Sequence, residues 1–229
     1  MGQVARTYAD TPPPDRSAPW REAGFCIVDL ETTGLDPVAN EIISFAALQI
    51  DRGRLRLDDA RYQVVRPRRM PGRETILVHG LRPAELADAP PLNDALDGLL
   101  EALAGKVLVA HVARIEQAFL AAALHRRGGR LINPIVDTAA LAAELFRRRG
   151  RDPAPDLGLT LVAETLGLPV HRPHEADGDA LTTAQVFLAL ATHLDRYSPQ
   201  TVGSLERLSR RTSGDGLLRR ALRRLRLPG

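Results

Sequence analysis

With a single cysteine, Cys26, the chain cannot form an internal disulfide, which suits a reducing compartment. No apolar run approaches the roughly eighteen residues of a membrane span. The opening MGQVARTYADTPPPDRSAPW lacks the apolar stretch of a secretory signal. A cytoplasmic protein with no membrane partner is the expectation. Aromatics are only 4% of the residues, so a core must rest on Ala, Leu, Val and Ile, and few rings remain to stack on bases. Lysine is nearly missing. Of the 31 basic residues only Lys106 is a lysine, and the rest are arginines. Arginine forks suit phosphate oxygens, but an Ala- and Arg-rich chain also follows from a GC-rich gene. The net charge of +3 permits a nucleic-acid partner without establishing one.

What is present is an α/β pattern. At 229 residues and 44% hydrophobic content the chain can bury one sizeable core. Residues 1–20 are polar and proline-rich and read as a flexible, unpacked arm. Phe25 to Val28 is an unbroken apolar run, the mark of a central strand covered on both faces. Residues 41–50 and 54–65 read as two more strands joined by a turn after Asp51-Arg52. Residues 83–88 and 92–105 fit helical periods, and Gly105 ends the second. A buried strand at 106–111 leads into a helix at about 113–127. A short strand ends near Asp137, and Asp137 or Thr138 caps a helix to about 149. Helices at 160–166 and 178–194 follow. Strands first, then strands alternating with helices, imply a mixed sheet flanked by helices. Residues 198–229 read as an Arg-rich basic tail, which leaves 21–197 as the main domain.

Four acids stand out by position. Asp29 and Glu31 are two apart at the end of the central strand, so both point to one face. Two carboxylates at a dry sheet edge must share a proton, be solvated, or hold a cation. Glu116 lies on a core helix, where Phe119, Leu120, Ala123 and Leu124 complete an apolar stripe at i+3, i+4, i+7 and i+8. The segment HRPHEADGDALTTAQVF places His174 in a loop and Asp179 in the first turn of a long helix. Asp177 and Asp179 are also ordinary helix-capping residues. Taken together, the acids can hold two divalent cations through oxygen ligands. Two such ions suit phosphodiester displacement, with His174 as general base on the attacking water.

The segments VDLETTGL, HGL (79–81), VAH-x-A-x-x-E-x-x-FL and HEADGDA, with its H-x4-D spacing, resemble the DEDDh family of 3′–5′ exonucleases, which includes DnaQ-like proofreading subunits. The resemblance spans roughly residues 21–195. It implies a ribonuclease H-like fold and release of nucleoside monophosphates from single-stranded DNA or RNA 3′ ends, using two Mg²⁺ or Mn²⁺ ions. A role in DNA replication or repair and a DNA polymerase partner are part of the same implication. By motif, Asp29, Glu31, Glu116 and Asp179 are the metal ligands, and His174 is the base. The H-x4-D spacing selects Asp179 over Asp177. Thr32, Thr33, His79 and Leu81 are the expected substrate contacts, and Asp137 is a structural cap. One motif departs. Where the family reads H-N-A-x-F-D, this chain has His111-Val112-Ala113-Arg114-Ile115-Glu116. The alternative implied by that departure is a catalytically weakened nucleic-acid-binding or polymerase-associated module.

Overall fold

A run of apolar residues with no polar alternation makes β1 (Gly24–Thr32) the centre of a five-stranded sheet. In the computed structural model, residues 2–154 and 156–212 are described. In chain order the elements are α1 (Gln3–Asp10), β1, β2 (Ile42–Asp51), β3 (Arg54–Val64), α2 (Arg73–His79), α3 (Pro83–Asp88) and α4 (Leu92–Leu103). Then follow β4 (Val107–Ala110), α5 (Arg114–Arg126), β5 (Ile135–Asp137), α6 (Thr138–Arg148), α7 (Leu159–Thr165), α8 (Ala176–Asp195) and α9 (Val202–Thr212). The sheet order is β3-β2-β1-β4-β5. β1 pairs antiparallel with β2 and parallel with β4, and β4 pairs parallel with β5. The mixed α/β sheet expected from the sequence is present.

Strand periodicity divides β1 between two cores. Cys26, Val28 and Leu30 face a cluster that holds the buried sides of α1, α4 and α5. Phe25 and Ile27 face the other cluster, with α6, α8 and α9. Two steps further along the second face come Asp29 and Glu31. The acids therefore occupy positions that continue the apolar stripe toward α8, at the end of β1 where the sheet opens.

Both chain ends differ from expectation. Residues 3–10, expected to be unpacked, form α1 against α4. Ala5 and Tyr8 are buried, and the Tyr8 hydroxyl donates to Asn133 Oδ1 at 2.5 Å and accepts from the Ile132 amide. Two well-placed side chains anchor a segment whose average composition is polar. At the other end the basic tail begins as α9, which packs on α6 and β5 with Val202, Leu205 and Leu208 buried. Residues 213–229 of the expected tail lie outside the described residues. Among the described residues no helix is long and apolar enough to cross a membrane.

Candidate active site

Three elements bring the acids together. β1 supplies Asp29 and Glu31, and the first turn of α8 supplies Asp179. One carboxylate oxygen from each lies within 4.8 Å of the other two. Asp177, also in the first turn of α8, is turned away to pair with Arg172. Glu116, in the first turn of α5, lies outside that trio but lines the same cleft of about 830 Å³ with Asp29, Glu31, His174 and Asp179. As expected of a stripe residue it is buried along with Phe119, Leu120, Ala123 and Leu124.

The loop before α8 is shaped by close packing. A Cβ at Gly178 would stand 2.5 Å from the carbonyl oxygens of His171 and Arg172, so the loop can lie on the first turn of α8 only because this residue is glycine. The loop then turns through His174 at φ 65°, and the His174 amide donates to Asp179 Oδ2 at 2.9 Å. The imidazole is left at an exposed position on the rim of the cleft.

The expected substrate contacts separate. Thr32 lines the cleft, its hydroxyl donating to the Gly34 carbonyl at 2.6 Å. His79 lines the cleft from the end of α2 and is buried; its Nδ1 accepts from the Leu81 amide at 3.0 Å, and Nε2 has no hydrogen-bond partner among the described residues. Burial lowers the pKa of this imidazole. Leu81 lines an adjoining hollow of about 350 Å³ that shares Glu31, His79 and His174 with the main cleft. Thr33 is not among the lining residues; its hydroxyl accepts from the Glu41 amide and closes the β1–β2 connection. Sequence reasoning missed α2, which hides between Gly72 and the left-handed Gly80. It also missed the role of His111, whose ring is held by Thr138 Oγ1 at 2.8 Å and the Leu157 carbonyl at 2.7 Å. Nε2 donates to that carbonyl, and in the neutral ring, which burial favours, Nδ1 accepts from the hydroxyl. This pins the loop that brings Asp156, Gly158 and Leu159 to the cleft wall.

The electrostatics call for a countercharge. Burial, then Glu116, Glu31 and Asp179, pushes the Asp29 carboxyl well above its ordinary range. Burial and then Asp179 raise Glu31 to about 8. Burial raises Glu116 to about 8, opposed by its own backbone amide and aided by Asp137 and Glu31. Asp179 is raised by burial, against the lowering effect of the His174 amide. Glu116 Oε2 is buried with no hydrogen-bond partner among the described residues, a costly state for a carboxylate. These residues fit a divalent cation. The donors are hard oxygens, and oxygens on opposite sides of a Mg²⁺ at ~2.1 Å lie about 4.2 Å apart, so the trio closes on an ion by small shifts.

Comparison with known proteins agrees with this architecture. An exonuclease family model, RNase T, matches residues 26–187. A PolC-type DNA polymerase III of Thermotoga maritima is 31% identical over 82% of this chain, which spans 13% of that protein. A DNA polymerase III subunit epsilon-like protein of Rhodobacter capsulatus is 32% identical over 79% of the chain, which spans 25% of it. Among solved structures, Exonuclease X in complex with 5′ overhanging duplex DNA superposes with a TM-score of 0.62 at 21% identity, covering 81% of this chain and 99% of that one. The nuclease domain of 3′hExo, a DEDDh member bound to rAMP, gives 0.64 at 18% identity over 80% and 97%. The chain belongs to the exonuclease family whose model it matches, and it shares the fold of these solved nucleases.

Proposed function

We propose that the chain is a metal-dependent 3′–5′ exonuclease that removes nucleoside monophosphates from single-stranded 3′ ends. The observation that carries this reading is the convergence of Asp29, Glu31 and Asp179 oxygens within 4.8 Å at the cleft. In this reading Asp29, Glu31, Glu116 and Asp179 hold two Mg²⁺ or Mn²⁺ ions. Bound there, the ions stabilise charge on the attacking and leaving oxygens. His174 accepts a proton from water on the cleft rim, since imidazole is the side chain suited to that task at neutral pH. The water oxygen forms a bond to phosphorus, and the bond from phosphorus to the 3′ oxygen of the penultimate sugar breaks. The products are a nucleoside 5′-monophosphate and a strand shorter by one residue. In this reading Thr32 and His79 contact the terminal nucleotide from the cleft wall, with Leu81 beside the adjoining hollow. Thr33 acts by holding the β1 end in place.

We extend the proposal to proofreading or repair beside a DNA polymerase, on the strength of the PolC-type and epsilon-like relatives. A second reading is a nucleic-acid-binding or polymerase-associated module with weakened catalysis. It is favoured by the position of Glu116 outside the trio. Binding and turnover measured on one oligonucleotide separate the two. The exonuclease reading expects metal-dependent mononucleotide release at protein concentrations that bind the strand, and the module reading expects binding without release.

A further inference from the structure

Val112 has φ 58°, in the left-handed region that a β-branched side chain rarely enters. Such a residue persists only where its surroundings over-determine it. Here the holding group is Asp137. Its Oδ1 accepts from the Val112 amide at 3.1 Å and from the Ala139 amide at 2.9 Å. The Asp137 amide itself donates to Ser209 Oγ of α9 at 2.9 Å, and that hydroxyl donates onward to the Leu205 carbonyl. One buried carboxylate oxygen thus joins the turn that launches α5 to the start of α6, and the same residue is tied to α9. The turn continues directly into the helix, since the Ile115 amide donates to the Val112 carbonyl at 3.2 Å. Glu116 follows Val112 by four residues, about one helical turn, and its buried Oε2 has no hydrogen-bond partner among the described residues.

We propose that Asp137 is a positioning residue for Glu116: it clamps the strained Val112 turn and so fixes where the first turn of α5 presents its carboxylate. The proposal rests on the exonuclease reading of the cleft. It gives Asp137 a duty beyond capping α6, and it makes Ser209, which lies outside residues 26–187 matched by the family model, part of the support of the site. The valine makes the clamp necessary. Asparagine tolerates the left-handed region far better, so at position 112 it would hold the same turn with less help.

The test uses the full chain and five forms: wild type, Asp137→Ala, Asp137→Asn, Val112→Asn and the double variant Asp137→Ala with Val112→Asn. Mn²⁺ affinity without nucleic acid, and kcat and KM for nucleotide release, are measured on each. Asp137→Ala is expected to weaken Mn²⁺ binding and lower kcat by about 10–100-fold, the usual cost of losing a group that orients a ligand, with KM little changed. Asp137→Asn is expected to stay near wild type, because both amides bond to Oδ1. In the Val112→Asn background the loss from Asp137→Ala is expected to shrink several-fold. Should Asp137→Ala fail to fold, Ser209→Ala replaces it, with a smaller loss that Val112→Asn again reduces. Wild-type behaviour of Asp137→Ala overturns the proposal, as does a full loss in Asp137→Asn or an undiminished loss in the double variant. A wild-type chain that binds Mn²⁺ in the expected order of variants yet releases no nucleotide supports the positioning role and contradicts the exonuclease reading.

Discussion

The His174 amide donates to Asp179 Oδ2 at 2.9 Å, so one hydrogen bond fixes the loop of the proposed base to a proposed metal ligand. Because the backbone makes this bond, the imidazole can be removed without releasing Asp179. His174→Ala is expected to lower kcat by about 10²–10⁴-fold, the typical weight of a general base, while Mn²⁺ affinity is unchanged. Single-turnover kinetics and calorimetric titration read the two separately. A parallel loss of both would mean that the side chain acts on the metal site and not on the water.

Gly178 sets the height of the same loop. A Cβ there would stand 2.5 Å from two backbone carbonyl oxygens, and neither can rotate away as a side chain could. Gly178→Ala is expected to cost about 1–3 kcal/mol of stability, as overpacking does, and to lower kcat by lifting His174 from the cleft. Denaturant melts together with kinetics would check this. An alanine variant with native stability and native kcat would show that the loop is not held by this contact.

Glu116 gives a pH prediction with a definite sign. Its folded pKa is about 8 against an ordinary 4.5, so folding favours the protonated form. Below pH 4.5 both states are protonated and there is no penalty. As pH rises toward 8 the unfolded chain releases the proton first, so stability falls and then levels off above 8. Glu31, raised to about 8, acts in the same direction. In chelator, Glu116→Gln is expected to melt with wild type near pH 4.5 and to be more stable at pH 8 by about 1–3 kcal/mol, the cost of an unsatisfied buried charge. Metal-dependent activity is expected to collapse while the fold survives. Parallel melting curves at both pH values, or full activity, would contradict this.

Tyr8 tests whether α1 is part of the folded unit. Its hydroxyl bridges Asn133 Oδ1 and the Ile132 amide. Tyr8→Phe leaves the amide without that acceptor and is expected to destabilise the chain by about 1–3 kcal/mol. An unchanged melting temperature would mean that α1 is dispensable.

Much of the site could be read from residue types. The apolar run before Asp29 announced a central strand, the two-residue spacing placed Asp29 and Glu31 on one face, and the stripe from Phe119 to Leu124 marked Glu116 as an acid inside a core. These features survive folding because strand and helix periods are local. The choice of Asp179 over Asp177 needed the H-x4-D spacing, since both sit in one helical turn, and Arg172 draws Asp177 aside. α1 and α2 were not legible. α1 depends on two buried residues in a polar segment, and α2 is a seven-residue helix bounded by glycines. The strain at Val112 was invisible for a different reason, because φ belongs to the tertiary setting created by Asp137 and not to valine. Thr33 reads like Thr32 in sequence, and only the β1–β2 pairing assigns its hydroxyl to Glu41.

The most direct measurement follows 5′-labelled single-stranded DNA and RNA incubated with the chain in Mg²⁺, in Mn²⁺ and in chelator, beside an Asp29→Asn control. The expected result is a ladder shortening from the 3′ end on at least one polymer, with nucleoside monophosphates released, absent in chelator and with Asp29→Asn. No metal-dependent release from either polymer, or early loss of the 5′ label, would contradict the assignment.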